Sequence, residues 1–305
     1  MMHHILRAVR TRQWAKNGLL FAGFLFGGQL REPAAVMLPE LLRVVLAFLC
    51  FCALSGAAYI VNDWRDIEKD RQHPIKKNRP LAAGDISPRG AAVIFAVCLA
   101  CAVALAVAVV KLDPAARLFP VTALGYFALT LAYSFFLKNV VIVDVLAVAA
   151  GFVIRVVAGC VAVPVVVSEW IIFCTFTLAL FIALCKRRAE LLEMGESGDA
   201  TRRVLPLYTV PLLDTFIAIA AGLSITSYSL YTFLASQSTA LPGQNRGPLM
   251  TTIPFVVYGV FRFLLLAHSS AVGGEPEQLL RDKPLMLNVF LWTVLVALLT
   301  LPWKF

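Results

Sequence analysis

Apolar residues in this chain neither alternate nor form narrow stripes; they come in long runs separated by short charged segments. Nine runs approach or exceed the length of roughly 20 mostly apolar residues that a membrane-crossing helix needs. They cover about 17–31, 40–61, 90–110, 117–136, 139–163, 168–185, 206–235, 250–268 and 285–302. The first is short and rich in Gly. The pattern predicts an all-α fold, a polytopic bundle of about nine transmembrane helices. No long low-complexity linker divides the chain, so residues 1–305 are expected to form a single integral membrane domain. The N-terminal run follows many polar residues and shows no small-residue cleavage site, unlike a cleavable signal peptide.

Composition sharpens this picture. The chain is 60% hydrophobic and 15% charged, which excludes an ordinary soluble domain. Its net charge of +9 is unevenly spread. With a cytosolic N-terminus, 19 of the 27 Lys and Arg fall in inside segments, six fall outside, and Arg155 and Arg262 lie within spans. That bias predicts a multi-pass protein of the inner (cytoplasmic) membrane with its N-terminus in the cytosol. Topology and attraction to anionic lipid account for part of the charge. The seven cysteines lie almost entirely in apolar runs, so small buried packing explains them better than a metal site, Cys98-x-x-Cys101 included. No disulfide framework, zinc site or nucleic-acid module is present in the sequence.

The remaining charge gathers near carboxylates. Directly after the second apolar run come Asn62, Asp63, Asp66 and Asp70. If the preceding helix continues, the three aspartates sit at i, i+3 and i+7 and share one face. Clustered carboxylates repel unless a cation joins them, and oxygen-only ligands suit Mg²⁺, which commonly takes phosphate oxygens as further ligands. Pro74 is expected to end this helical segment. Lys76, Lys77 and Arg79 then supply cations for a phosphate group. Ser87-Pro88 reads as the N-cap and first residue of the next helix. The bland alternative is a solvated, charged turn, and His73 by itself is weak evidence for a general base.

Three further groups fall on the same predicted face. Tyr133 and Lys138 end the fourth run, and Asp144 opens the fifth. Asp144, Gly151 and Arg155 are spaced i, i+7, i+11, again one helix face. A mid-span Arg costs several kcal/mol unless paired or facing a polar cavity, so Arg155 is a functional candidate, with Asp214 as its structural alternative partner. Lys186, Arg187 and Arg188 suit either a phosphate or a stop-transfer anchor. Lys16 and Asn17, in the run Arg10-Thr11-Arg12-Gln13-Trp14-Ala15-Lys16-Asn17 before the first span with its interfacial Trp14, suit either substrate binding at the site or an ordinary basic anchor.

The Asn-Asp-x-x-Asp-x-x-x-Asp pattern at Asn62–Asp70, in a protein of about nine spans, resembles the UbiA superfamily of intramembrane prenyltransferases. The likeness extends to the branch whose members transfer 5-phosphoribosyl to decaprenyl phosphate. It is carried by Arg12–Asn17, His73–Pro80, the stretch from Tyr133 through Asp144 to Arg155, and Lys186–Leu191. The chain departs from the common superfamily pattern by lacking a second Asp-x-x-x-Asp motif; Tyr133, Lys138 and a single Asp144 stand there instead. The resemblance implies a UbiA-like bundle with cytosolic loops capping the active site. It also implies that the lipid phosphate is the acceptor and a sugar diphosphate the donor.

On that basis Mg²⁺ held by Asp63, Asp66 and Asp70 is expected to bind the diphosphate of phosphoribosyl diphosphate (PRPP), oriented by Asn62. Lys76, Arg79 and the Lys186–Arg188 cluster are expected to neutralise its phosphates. Lys138 and Tyr133 are expected to hold the phosphate of a polyprenyl phosphate lipid, and Asp144 the ribose hydroxyls. Arg155 is expected either to anchor a phosphate or to shape the cavity. The expected partners are PRPP, the polyprenyl phosphate and the bilayer, with no nucleic acid; a homo-oligomer is compatible with the sequence. Two rivals stand beside this: a prenyltransferase moving a prenyl group from a prenyl diphosphate to an aromatic or other small acceptor, and a transporter using Arg155, Arg262 and Asp214 as a path.

Overall fold

The computed structural model describes residues 2–27, 29, 32–72, 76–197, 204–235, 247–269 and 282–300. All the regular elements among them are helices, with no strand. Lipid offers no partner for backbone N–H and C=O groups, so a chain of long apolar runs must satisfy them within helices. The α-helices are α1 (Met2–Ala8), α2 (Phe21–Phe26), α3 (Ala34–Arg65), α4 (Ile67–Gln72), α5 (Pro88–Leu112), α6 (Phe119–Phe135), α7 (Val143–Ala162), α8 (Glu169–Ser197), α9 (Val210–Ala235), α10 (Ile253–His268) and α11 (Lys283–Thr300).

Among the described residues, seven helical segments are long and apolar enough to cross a membrane: Ala34–Arg65, Pro88–Leu112, Pro114–Asn139, Val143–Ala162, Glu169–Leu192, Val210–Leu234 and Leu249–His268. The last predicted run forms the shorter apolar helix α11. The first predicted run differs. It is split between a ten-residue 3₁₀ helix, Thr11–Leu20, and the six-residue α2. Among the described residues, the nine expected spans correspond to seven long helices, one short apolar helix and one broken entry segment.

Internal contacts divide the chain into two compact units, Met1–Phe135 with Gly151–Val167, and Phe136–Ala150 with Ser168–Phe305. In the first, α3 packs along α5, and Leu20, Phe51, Phe119 and Tyr126 lie in a core that also takes Ala158 and Ala162 of α7. Helix α5 begins as the sequence predicts: Ser87 caps it by accepting from the Gly90 amide at 3.1 Å, with Pro88 in its first turn. Gly159 lets the entry segment approach α7 closely, since a Cβ there would overlap the backbone carbonyl of Leu20. In the second unit α8 packs along α9, and Phe181, Leu205, Leu213, Ile217 and Phe263 form its core.

Candidate active site

The aspartates lie where α3 gives way to α4. The helix does not run through unbroken: α3 ends at Arg65, and Asp66 has φ −97° and ψ 10°. The i→i−4 bonds nevertheless carry across, with the Asp66 amide donating to Asn62 O at 3.0 Å and the Asp70 amide to Asp66 O at 2.8 Å. Asp63, Asp66 and Asp70 thus stay on successive turns. Asp63 and Asp70 are buried, and Asp66 is half-buried.

Two guanidinium groups meet these carboxylates. Arg79 Nη1 lies 3.1 Å from Asp63 Oδ1 and 2.7 Å from Asp70 Oδ2, so it bridges them. Arg10 Nη2 donates to the same Asp63 oxygen at 2.5 Å. Arg10 has φ 51° and ψ 55°, a left-handed conformation that costs a non-Gly residue about 1–2 kcal/mol. The surrounding loop is stapled by backbone acceptors: Arg7 donates to Asn78 O at 2.8 Å and Arg71 to Ala82 O at 3.2 Å. Gly84, at φ 84°, makes the turn before Ser87. Lys76 is half-buried in the 3₁₀ turn Lys76–Asn78. His73 and Pro74 fall outside the described residues.

No three Asp, Glu, His or Cys side chains among the described residues converge on a common metal position. The bridging Arg79 supplies positive charge between Asp63 and Asp70. The donor set is still oxygen-only and suits a hard divalent ion such as Mg²⁺.

The second charged cluster belongs to the other unit. Asp144 is fully buried; its Oδ2 accepts from Arg187 Nε at 2.6 Å and its Oδ1 from the Tyr208 hydroxyl at 2.8 Å. The Tyr208 oxygen in turn accepts from the Ile142 amide at 2.7 Å. Burial pushes the Tyr208 hydroxyl up to about 12, so it stays protonated and keeps donating. Arg187 Nη1 also meets Glu190 at 2.5 Å. Arg188 instead pairs with Asp214 at 2.6 Å, which His268 also approaches at 3.1 Å. Of Lys186, Arg187 and Arg188, expected to act together on a phosphate, the two arginines take different carboxylate partners. Successive helical residues point about 100° apart, and Arg187 and Arg188 each face their own carboxylates. Asp144, expected to meet ribose hydroxyls, offsets the charge of Arg187 within the second unit. Lys138 and Tyr133 are half-buried near the junction of α6 and α7.

Arg155, for which Asp214 was the structural alternative partner, makes its hydrogen bonds within the first unit. It is buried in the first unit, donating through Nε to Asn17 Oδ1 at 2.8 Å, through Nη1 to Gly151 O at 2.9 Å, and through Nη2 to the Tyr126 hydroxyl at 2.7 Å. Asp144 and Arg155 share a helix but join different networks.

Sequence reasoning missed Arg10, Tyr126, Ser55 and Tyr208. Arg10 stands in the run containing Lys16 and Asn17, and its spacing carries no sign of a partner 53 positions away. Tyr126, Ser55 and Tyr208 sit in apolar or mixed stretches with nothing to set them apart.

The comparisons agree with this architecture. The UbiA prenyltransferase family profile matches residues 20–190. The decaprenyl-phosphate phosphoribosyltransferase of Corynebacterium glutamicum is 32% identical over 296 residues, covering 96% of this chain and 86% of that protein. The enzyme of the same name from Mycobacterium tuberculosis is 34% identical over 299 residues, covering 96% and 93%. A UbiA homolog from Archaeoglobus fulgidus, solved with GPP and Mg²⁺, has a TM-score of 0.68 at 18% identity, covering 97% of this chain and 96% of its own. An all-helical, multi-pass membrane transferase is the class that these observations define. The chain belongs to the UbiA prenyltransferase family.

Proposed function

We propose that this enzyme transfers 5-phosphoribosyl from PRPP to a polyprenyl phosphate of the decaprenyl phosphate kind, releasing diphosphate. The observation that carries this is the near full-length similarity to enzymes named for that reaction. The local chemistry supports it. Asp63, Asp66 and Asp70 would hold Mg²⁺, which when bound offsets charge on the departing diphosphate. Asn62 would orient that group. Arg79 and Lys76 would donate to its oxygens, with Arg79 leaving its bridge between Asp63 and Asp70. A lipid phosphate oxygen forms the bond to C1 of ribose as the bond from C1 to the diphosphate oxygen breaks. That oxygen is already ionised, so no strong general base is needed. Lys138 and Tyr133 would hold the acceptor phosphate, and Lys16 would add positive charge. Asp144 with Arg187, and Arg188 with Asp214, would brace the helices that carry them. The cytosolic face of the inner membrane is the proposed setting, because Lys and Arg concentrate on that side.

The paired-donor assay separates this from prenyl transfer. Purified enzyme is given PRPP with polyprenyl phosphate, or a prenyl diphosphate with an aromatic acceptor, each with and without EDTA. Diphosphate release only in the first pair, abolished by EDTA, is expected. Release only in the second would refute the proposal.

A further inference from the structure

The entry segment Thr11–Leu20 is a ten-residue 3₁₀ helix. Such helices have poorer hydrogen-bond geometry than α-helices and seldom run beyond three or four residues unless something outside holds them. Three tethers are visible. At the tail, Leu20 lies against Gly159 of α7. In the middle, Gln13 accepts from the Tyr59 hydroxyl at 2.6 Å. Near the tail, buried Asn17 accepts from Arg155 at 2.8 Å and lies 3.3 Å from Cys52 Sγ and 3.5 Å from Ser55 Oγ. Ser55 in turn meets the Tyr126 hydroxyl at 3.0 Å, and the Arg155 guanidinium lies 4.6 Å from the Tyr126 ring centroid. Arg155 therefore makes hydrogen bonds to Asn17, α6 and its own helix at once. At the head of the same segment stands Arg10, in a left-handed conformation and bonded to buried Asp63.

We infer that Arg155 is a positioning residue: through Asn17 it fixes the register of the 3₁₀ segment, and so holds Arg10 against Asp63. At about 2.0 Å rise per residue, the seven positions from Arg10 to Asn17 put this anchor roughly 14 Å along the segment from the carboxylate it serves. The strained Arg10 backbone is the reason an anchor is needed, since a segment free to slide would relax it. The clamp itself is independent of the substrates; its bearing on turnover rests on the proposed transfer reaction.

Hydrogen exchange of the full-length protein in nanodiscs, without substrate, tests the clamp directly. Arg155→Met should speed exchange of the Thr11–Leu20 amides by about tenfold or more, the loss expected for a buried charged hydrogen bond, while α9 and α10 stay protected as in the parent. Asn17→Asp keeps the acceptor for Arg155 and should retain most of the protection; Asn17→Leu should lose it. Combining Arg155→Met with Asn17→Leu should add little to either single change, because both cut one link. In the transfer assay, Arg155→Met should raise the KM for PRPP more than it lowers kcat, with the Asn17→Asp variant nearest the parent. Unchanged exchange of Thr11–Leu20 in Arg155→Met would overturn the inference, whatever happens to activity. Should Arg155→Met not fold, Asn17→Leu with parent-like exchange would overturn it equally. A parent protein that turns over no PRPP, with exchange loosened in Arg155→Met, would leave the clamp standing and sink the proposed reaction instead.

Discussion

Asp66 is the half-buried member of the carboxylate row, and Asp63 and Asp70 are buried and bridged by Arg79. Asp66→Asn should lower transfer by about two to three orders of magnitude, the scale of losing one well-placed electrostatic group, with expression and melting temperature close to the parent. Near-normal turnover would remove Asp66 from the proposed metal site. Asp63→Asn should behave differently, because it leaves Arg10 and Arg79 facing an amide. Losing one partner of a buried ion pair costs about 3–5 kcal/mol, less here since the two Arg side chains stay 21% and 26% exposed. A fall in melting temperature beside the fall in activity is the expected result. Lys138→Ala should raise the KM for polyprenyl phosphate more than that for PRPP, and equal effects on both would contradict its assigned role. The aspartate row was readable in the sequence because helical spacing alone defines it. The guanidinium partners were not, since Arg10 meets Asp63 across 53 positions, and no local pattern records such a contact.

Helix starts and apolar lengths were also readable, from Ser87-Pro88 at the head of α5 to the run that becomes α9. The entry segment was not. Its Gly-rich run has enough apolar residues to look like a short span, but Gly159 of α7 allows its backbone to come so close that a broken path packs well. Gly159→Ala should therefore lower the melting temperature, consistent with overpacking of about 1–3 kcal/mol; an unchanged melt would show that the two backbones can part freely. At the far end of α3, Arg43 pairs with Asp113, which also accepts from the Ala115 amide at 2.9 Å. That amide, with the Arg43 guanidinium, holds the Asp113 carboxyl below its ordinary value. A lowered folded-state value means stability present above about pH 4 and lost as pH falls through the folded-state value. Asp113→Asn should melt below the parent at neutral pH, and the gap should close in acid. A gap that persists in acid would argue against the carboxylate as its source.

Across the whole molecule, membrane class and charge asymmetry follow from the run lengths and from where Lys and Arg fall, both plain in the sequence. Division of the polar residues between two units was not visible, because each unit borrows part of α7. Asp144 and Arg155 therefore look like one functional face and turn out to serve separate networks. Orientation can be checked independently: a Lys69→Cys variant should react with a membrane-impermeant maleimide in inside-out vesicles and not in intact spheroplasts, and the reverse would invert the proposed topology. The central claim is that ribose, not a prenyl group, is what moves. Mass spectrometry of the lipid fraction after incubation of purified enzyme with ribose-labelled PRPP, Mg²⁺ and polyprenyl phosphate tests it most directly. Label appearing in the lipid as a phosphoribosyl phosphodiester, matched by free diphosphate, is the predicted result. Label confined to the aqueous phase, while a prenyl diphosphate alkylates an aromatic acceptor under the same conditions, would contradict it.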